Sequence, residues 1–230
     1  MTVLVLQARL DSKRLSGKSL LPLGGEPLVF RVMQQLSFLK TDAAILACPE
    51  DCKTEFAPLA KRAGFDMVTG PKEDVLARFC AVIRRYSPGR VIRATADNPF
   101  VFIDAARSLE QSARALHADY ACFAGIPAGS GTESLAAAAL LAAESEADKA
   151  DEREHVAPFL YRHGERFLLH RPLAALRWQS PLSLTVDTQE DYERALALYD
   201  ALKDNENKTK GAHIIAAAKI CFGDKYGGDT

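Results

Sequence analysis

The sequence lacks the signatures of several common enzyme classes. It has no GxxxxGK[ST] loop, no GxGxxG after its first apolar run, no GxSxG and no HExxH. These absences argue against a P-loop protein, the usual dinucleotide-binding fingerprint, an α/β-hydrolase elbow and a zincin-type metal site. Long apolar runs are also missing. The longest largely apolar, uncharged tract, 134–143, falls far below the roughly 18 residues that a membrane-spanning helix needs.

Neither charge is in excess, and cysteine is scarce. With 29 Lys and Arg against 30 Asp and Glu, the formal net charge is −1, which argues against broad nucleic-acid binding. The five cysteines form no CxxC pair, and the five histidines show no metal-ligand spacing. We therefore expect reduced structural thiols and a cytoplasmic protein without a membrane partner. The N-terminus shows no signal-peptide pattern, because a charged loop follows its short apolar run at once.

Short apolar runs alternate with helical patterns along the chain. Strands are predicted at 3–6, 43–47, 65–68, 90–95, 120–123, 166–170 and 183–186, and helices from 28 and at 55–63, 73–86, 104–117, 134–146, 151–163 and 191–202. This alternation predicts an α/β fold whose mostly parallel sheet is covered on both faces. A polar linker at 203–210 leads to a short apolar helix. We therefore predict one domain at 1–202 and a linker with a helical tail at 203–230.

A basic loop follows the first predicted strand. The segment 6–25 reads LQARLDSKRLSGKSLLPLGG and contains Arg9, Lys13, Arg14 and Lys18. Cations on a loop between a buried strand and a helix are typical of polyphosphate sites in α/β proteins. We interpret this loop as a cradle for a nucleotide triphosphate, and a solvated surface loop is the alternative.

Two aspartates each lie just past a later predicted strand. Asp97 stands in VIRATADNP and Asp187 in LSLTVDTQED. Because ligands of an open parallel sheet bind beyond the carboxyl ends of its strands, Arg9, Asp97 and Asp187 should meet at one edge. Mg²⁺ takes one or two carboxylates together with phosphate oxygens, so the pair predicts a magnesium–triphosphate site. Alternatively, Asp187 caps the following helix, and Asp97 forms an Asx turn.

Two further charged clusters allow two interpretations each. In EDVLARF, Arg78 lies four residues after Asp74, either as a surface ion pair or facing a substrate. In DEREHV, the sequence Arg153-Glu154-His155 opens a predicted helix. It is either a capped surface, or a place where His155 serves as a general base or binds substrate.

Six ordered motifs together resemble the cytidylyltransferase family that activates acidic sugars. They are QARLDSKRLSGKSLLPLGGEPL, EDVLARF, RATADNP, PAGSGTE, REHVAPF and LTVDTQED, and they span about residues 2–200. The resemblance implies a three-layer, Rossmann-like nucleotide-diphospho-sugar transferase fold that binds CTP with Mg²⁺. It also implies transfer of CMP to an acidic sugar, or to a sugar or polyol phosphate, with release of pyrophosphate. Such a reaction would serve the synthesis of surface polysaccharides.

The resemblance implies roles for individual residues. Arg9, Lys18 and Asp97 would be catalytic, and Asp97 and Asp187 would bind the metal. The nucleotide site would comprise Gln7, Ala8, Arg9, Arg14, Lys18, Arg78, Arg93 and Ala96, and the acceptor side Glu133, Arg153 and His155. The family also places dimer contacts near 165–186, where an exposed Trp178 would suit a homodimer interface.

Three positions depart from the family pattern and keep other functions open. Ser16 replaces a proline, Ala96 a frequent glycine, and Gly131 an aspartate of related sequences. A different acceptor or a reduced activity would follow. The alternatives are a nucleotidyltransferase that uses another triphosphate and a non-catalytic homologue that binds a nucleotide or sugar. The QAR opening counts against UTP and GTP enzymes, which usually begin GxGxR.

Overall fold

The computed structural model describes residues 1–12 and 14–223. Lys13 of the basic loop and residues 224–230 of the predicted tail lie outside the described residues. The strands are β1 (Thr2–Gln7), β2 (Pro22–Leu23), β3 (Glu26–Pro27), β4 (Ala43–Pro49), β5 (Asp66–Gly70), β6 (Arg90–Thr95), β7 (Tyr120–Ala121), β8 (Glu133–Ala136) and β9 (Leu169–His170). The helices are α1 (Leu28–Ser37), α2 (Lys53–Ala63), α3 (Val75–Tyr86), α4 (Ile103–Ala115), α5 (Ala137–Glu146), α6 (Ala150–His155), α7 (Pro158–Arg162), α8 (Gln189–Leu202) and α9 (Gly211–Phe222).

Seven strands form one sheet in the order β5-β4-β1-β6-β8-β7-β9. Strand β1 runs parallel to both of its neighbours, β4 and β6, and Val5 stands opposite Ile45 on one side and Arg93 on the other. Strand β8 runs antiparallel to its neighbours β6 and β7. The predicted α/β fold with a mostly parallel sheet is confirmed.

Helices cover both faces of this sheet. On one face, Val5 packs with Phe79 of α3 and Leu140 of α5 in a buried cluster. On the other, Leu4 packs with Met33 of α1 and with buried side chains of α2 and α4. Burying apolar side chains on both faces gives the three layers expected from the nearly continuous apolar runs of β1 and β4.

Two predicted helices are wrong in part. The stretch 134–146 begins as strand β8, because Ser134 and Leu135 pair with β6 and β7 inside the sheet; the ladder overrides the helical preference of the alanines. The stretch 151–163 is two helices, α6 and α7, that meet at Val156. Pro158 begins α7, and a proline there cannot continue the hydrogen bonding of α6.

Two other predictions around the C-terminal half also need correction. The stretch 183–186 is not a regular strand; Ser183 forms one isolated parallel bridge to Ala128. Trp178 is buried rather than exposed, and its indole N–H donates to Asp104 Oδ2 at 2.9 Å. It therefore offers no exposed ring for a dimer contact, and the homodimer stays a prediction.

The helix predicted in the tail packs against the main body. Ile214 and Ile215 of α9 lie in a third buried cluster with Trp178 and Phe102. The backbone N–H of Gly211 donates to Asp104 Oδ1 at 3.0 Å. The division at residue 203 remains a prediction about domains. Within the described ranges, no helix is long and apolar enough to cross a membrane, and all five cysteines are free.

Candidate active site

Lys18 joins the two aspartates that the sequence singles out. Its ammonium nitrogen lies 2.8 Å from Asp97 Oδ2 and 2.8 Å from Asp187 Oδ1, and it also donates to the carbonyl oxygen of Val186 at 3.0 Å. The Lys18 side chain is 12 % exposed. Two carboxylates thus converge on one buried cation, although 90 residues separate them in sequence.

The backbone brings these residues to one edge of the sheet. Asp97 follows β6, whose last residues pair with the end of β1. The N–H of Val186 donates to the carbonyl oxygen of Asp97 at 2.9 Å, which ties the segment before Asp187 to the turn after β6. Thr95 orients the first carboxylate by donating to Asp97 Oδ1 at 2.7 Å. The predicted meeting of Arg9, Asp97 and Asp187 at one edge is therefore present, although the segment before Asp187 is not a regular strand.

Asp187 does not cap the following helix. Thr188 is the N-cap of α8 and forms a capping box with Asp191. Asp187 is left with its oxygens on Lys18 and on Arg14, whose Nη2 lies 2.9 Å from Oδ2. Its side chain therefore belongs to the cationic loop rather than to the helix end.

Two arginines of the loop, Arg9 and Arg14, face solvent. Arg14 is 67 % exposed and Arg9 is 51 % exposed, and Arg9 Nη1 lies 3.4 Å from Glu154 Oε1. The Ser19 hydroxyl donates to the carbonyl oxygen of Arg9 at 2.8 Å and holds the loop in place. Exposed ion pairs of this kind contribute little to stability, so these cations can exchange their partners for an anionic ligand.

These groups line a cavity of about 670 Å³, which we call the main cavity. It is large enough for a nucleotide-sized molecule. It brings together most of the predicted nucleotide residues with one residue of the predicted acceptor side, His155. The lining comprises Gln7, Ala8, Arg9, Asp11, Ser12, Arg14, Lys18, Ser19, Glu73, Arg93, Thr95, Ala96, Asp97, Glu154, His155 and Asp187.

A smaller cavity of about 300 Å³ adjoins the first, and we call it the adjoining cavity. Arg93 and Thr95 line both. The GIPAGSGTE loop and Glu133 close it. Gly129 in this loop has φ 79°, and a Cβ there would lie 2.5 Å from the backbone nitrogen of Thr185. Only glycine allows the loop to pack this closely on the segment that leads to Asp187.

Gly131, one of the three departures, also lines the adjoining cavity. A Cβ at this position would lie 3.5 Å from Ile126 Cγ2, an ordinary contact. The absence of a side chain at Gly131 therefore enlarges the cavity, and neither the backbone conformation nor close packing requires glycine there. Of the other two departures, Ser16 is exposed on the loop, and Ala96 is buried with its N–H on the carbonyl oxygen of Gln7 at 3.0 Å.

Two predicted site arginines do not line the main cavity. Arg78 is 1 % exposed, and its Nη1 donates to the carbonyl oxygens of Pro71 and Lys72. Burial lowers the pKa of the Arg78 guanidinium. Arg153 contacts Asp74 Oδ2 at 2.6 Å, and Asp74 caps α3. Neither the Asp74–Arg78 surface pair nor a substrate-facing Arg78 is what the structure shows.

His155 reaches the main cavity from the end of α6. The next residue, Val156, is fully buried and has φ 72° and ψ −52°. The N–H of Ala157 donates to the carbonyl oxygen of His155 at 2.9 Å, which closes a three-residue turn. This is the strained classic γ-turn, unusual for a β-branched residue. The turn ends α6 at the cavity and leaves His155 exposed there.

Sequence reasoning missed several groups at the site, among which Thr95, Glu154 and Tyr120 line the cavities and the Val186 carbonyl contacts Lys18. Thr95 lies in the RATADNP motif beside Asp97, so its proximity was a usable signal. Glu154 is adjacent to His155 in sequence, yet its partner Arg9 is 145 residues away. Tyr120 donates to Glu133 Oε1 at 2.7 Å, and the Val186 carbonyl accepts from Lys18. Tyr120 and the Val186 carbonyl have no sequence signal, because neither the pairing of distant strands nor the position of a backbone carbonyl can be recognised from residue types.

A family model described as cytidylyltransferase matches residues 3–215 of this chain. The chain belongs to the cytidylyltransferase family. It is 33 % identical over 203 residues to the spore coat polysaccharide biosynthesis protein SpsF of Bacillus subtilis (strain 168), a match that covers 85 % of each chain. As a member of the cytidylyltransferase family it is a nucleotidyltransferase, and the predicted family and enzyme class are confirmed.

Solved structures support the cytidylyltransferase fold. A cytidylyltransferase from Leptospira borgpetersenii serovar Hardjo-bovis (strain JB197) superposes with a TM-score of 0.87 at 22 % identity, covering 95 % of this chain and 94 % of that one. CMP:2-keto-3-deoxy-manno-octonic acid synthetase complexed with CTP gives a TM-score of 0.68 at 17 % identity, covering 86 % and 98 %. The predicted Rossmann-like fold is thereby confirmed. The roles of individual residues stay predictions.

Proposed function

We propose that this protein transfers CMP from CTP to a small acidic sugar, or to a sugar or polyol phosphate, and releases pyrophosphate. The observation that carries the proposal is the Lys18 ammonium held at 2.8 Å from both Asp97 and Asp187 on the floor of the main cavity. A triphosphate needs cations at its oxygens and carboxylates for a metal, and this cluster provides both. The SpsF relative, named for spore coat polysaccharide biosynthesis, supports a role in surface polysaccharide synthesis.

The two aspartates fit a divalent cation. Their facing oxygens already converge on a single positive centre, the Lys18 nitrogen. Within the described residues, 1–12 and 14–223, no group of three or more His, Cys, Asp or Glu side chains is arranged to hold a metal. We propose that Asp97 and Asp187 would hold Mg²⁺ together with phosphate oxygens of the nucleotide, a ligand set that is common for this ion. Bound there, Mg²⁺ would polarise a phosphate oxygen.

The chemistry that remains is positioning and charge stabilisation. An oxygen of the acceptor attacks the α-phosphorus, the new O–P bond forms, and the bond from the α-phosphorus to the oxygen of pyrophosphate breaks. Lys18, with Arg9 and Arg14, neutralises the charge that builds on the leaving phosphates. Thr95 keeps the Asp97 carboxylate oriented through its hydroxyl. His155 lines the main cavity, and we propose that it takes the proton when the attacking group is a hydroxyl.

The adjoining cavity is the proposed place of the acceptor. It opens on the main cavity at Arg93 and Thr95, next to Asp97. Gly131 leaves room there, and the Oδ1 atom of Asn98 is buried without a hydrogen-bond partner within the described chain. An unpaired buried oxygen is costly, and a hydroxyl of a sugar acceptor would satisfy it.

The test is pyrophosphate release by the purified protein. CTP, UTP, GTP and ATP are each supplied with Mg²⁺ and a panel of nonulosonic acids, sugar phosphates and polyol phosphates. We expect release with CTP and at least one acceptor, and loss of release with EDTA. Preference for another triphosphate would contradict the nucleotide assignment. Binding of CTP without release for every acceptor would favour a non-catalytic homologue.

Matched variants separate the site from the fold. Asp97→Asn removes a proposed metal ligand, whereas Asp66→Asn removes a surface carboxylate that accepts from the Tyr86 hydroxyl at 2.7 Å. We expect pyrophosphate release to be lost in the first variant and kept in the second. Unchanged release by Asp97→Asn would show that the two carboxylates do not serve the reaction.

A further inference from the structure

Four polar side chains form the wall between the two cavities, namely those of Gln7, Arg93, Glu133 and Tyr120. They stand on one face of four adjacent strands, β1, β6, β8 and β7. The Tyr120 hydroxyl donates to Glu133 Oε1 at 2.7 Å, and Arg93 Nη1 donates to Glu133 Oε2. Arg93 Nε and Nη2 then donate to Gln7 Oε1 at 3.2 and 3.1 Å. The chain of hydrogen bonds therefore ends on the amide of Gln7, which lines the main cavity.

The chemistry of arginine fixes the orientation of that amide. A guanidinium has five donors and no acceptor, so only the oxygen of Gln7 can face it. Rotating the amide would place its NH₂ group against two N–H donors of Arg93. The NH₂ group of Gln7 is therefore turned away from Arg93, and no protein atom in the described ranges accepts a hydrogen bond from it. At this point the cavity wall offers only donors.

The rest of the wall keeps this arrangement in one state. Both oxygens of Glu133 are occupied, one by Tyr120 and one by Arg93. The Arg93 and Glu133 side chains are 15 % and 22 % exposed, so the pair is largely shielded from solvent. Burial, together with the charge of Glu133, raises the pKa of the Tyr120 phenol, which therefore stays protonated as a donor.

We infer that Gln7 is a specificity residue whose amide, held by Arg93 and Glu133, selects a substrate group that has lone pairs and no proton. Arg93 and Glu133 are positioning residues in this scheme, and Glu133 acts through Arg93 rather than on the acceptor. The inference rests on the proposed function, and we take two such groups, one on each substrate, as the candidates. One is the N3/O2 edge of cytosine, where uracil instead carries N3–H. The other is the carboxylate of an acidic sugar.

A hydrogen-bond donor held in one orientation discriminates between substrates, because a substrate without an acceptor at that point leaves the donor unpaired. If the cytosine edge lies against Gln7, UTP brings its N3–H against the NH₂ group, and two buried donors face each other. If the sugar carboxylate lies there, an analogue with an alcohol in its place loses a charge-assisted hydrogen bond. Sites that donate to a substrate group reject the analogue lacking it far more strongly than apolar pockets reject a missing methylene.

The decisive variant is Gln7→Glu, which has nearly the same shape but presents oxygens instead of an NH₂ group. Two ratios of kcat/KM are measured in wild type and variant: CTP over UTP, and the acidic acceptor over its alcohol analogue. We expect one of them to fall by about 10- to 100-fold, since a hydrogen bond to a polar or charged group is replaced by repulsion. The ratio that falls identifies which substrate lies against Gln7.

A matched control exists on helix α1. Gln34 also accepts from an arginine, because Arg31 Nη1 donates to its Oε1 at 2.8 Å, but it is exposed and does not line the main cavity. Gln34→Glu should leave both ratios unchanged. The double variant Arg93→Met/Glu133→Gln tests positioning, because it removes both charges together and frees the Gln7 amide to rotate. We expect it to lower the same ratio, with a smaller loss than Gln7→Glu.

The outcomes separate the inference from the proposed function. An active wild-type enzyme whose two ratios are the same in Gln7→Glu overturns the inference and leaves the function standing. A parallel loss with every substrate, together with a lowered Tm, also overturns it, because a purely structural role would act in that way. A wild-type protein that releases no pyrophosphate with CTP and any acceptor overturns the proposed function and the inference with it.

Discussion

The loop that lines the main cavity and the helices α3 and α6 use their basic residues differently. On the loop side, Arg9 and Arg14 are more than half exposed, and each contacts a carboxylate that also lines the cavity. On the helix side, Arg78 and Arg153 are bound by backbone carbonyls and by the cap of α3. The first pair can change partners when an anion arrives. Arg78 and Arg153 cannot do so without breaking the hydrogen bonds that they donate to backbone carbonyl oxygens.

Whether a basic residue near a site can bind an anionic ligand therefore depends on the groups that already bind it. From the sequence alone all four arginines are candidates for binding an anionic ligand, because each lies in a family motif. In the structure these arginines differ in the free energy that is needed to separate them from their present partners. An exposed ion pair contributes at most about 1 kcal/mol, whereas a buried carbonyl left without its donor costs about 1–3 kcal/mol.

The largest expected effect is on the loop side, at Lys18. Lys18→Met removes the cation between Asp97 and Asp187, and we expect kcat to fall by about 10²- to 10³-fold, as for loss of one charge-stabilising donor. Lys72→Met is the control, because Lys72 Nζ also lies near two aspartates, Asp11 at 3.0 Å and Asp51 at 3.5 Å, but does not line the cavity. Steady-state pyrophosphate release measures both. An equal loss of kcat in the two variants would show that Lys18 has no particular role in the reaction.

The second effect tests the helix side through stability. Arg78→Met leaves the carbonyl oxygens of Pro71 and Lys72 without a donor, and we expect a loss of about 1–3 kcal/mol in the free energy of unfolding. Urea denaturation measures it. Arg85→Met on the same helix, where the side chain is exposed, should change stability by less than about 0.5 kcal/mol. A stable Arg78→Met protein with a raised KM for CTP would return Arg78 to the nucleotide site.

The smallest effect concerns the γ-turn beside His155. At Val156 we expect the glycine variant to be more stable than the alanine variant by about 1 kcal/mol, because glycine adopts positive φ without strain. Val82 is the control: it is equally buried but lies inside helix α3. There alanine should be the more stable variant by about 1 kcal/mol. Urea denaturation of the four variants decides, and the same order at both positions would argue against strain at Val156.

Much of the fold could be predicted from local patterns. The strand at 90–95 is observed with the predicted bounds, and the helices at 28, 55 and 73 lie close to their predicted positions. The failures share a cause. Ser134 pairs with Ile92 of the distant strand β6, and Val156 is bent by the combination of core burial and Pro158. Local propensity carries no information about such distant partners.

The residues of the site were predictable as a group and not in their contacts. Predicted strands that end at Leu6, Thr95 and Val186 place the side chains beyond them at one edge of the sheet, since parallel strands share their direction. The structure brings these side chains together, although 183–186 is an irregular segment tied to Asp97 rather than a strand. The motifs likewise determined the family. Tertiary structure alone decided that Lys18 bridges the aspartates, that Arg78 and Arg153 turn away from the cavity, and that Gln7 presents only donors. Long polar side chains take the partners that packing brings within hydrogen-bond distance, and Lys18 and Asp187 show that such a partner can lie 169 residues away in the chain.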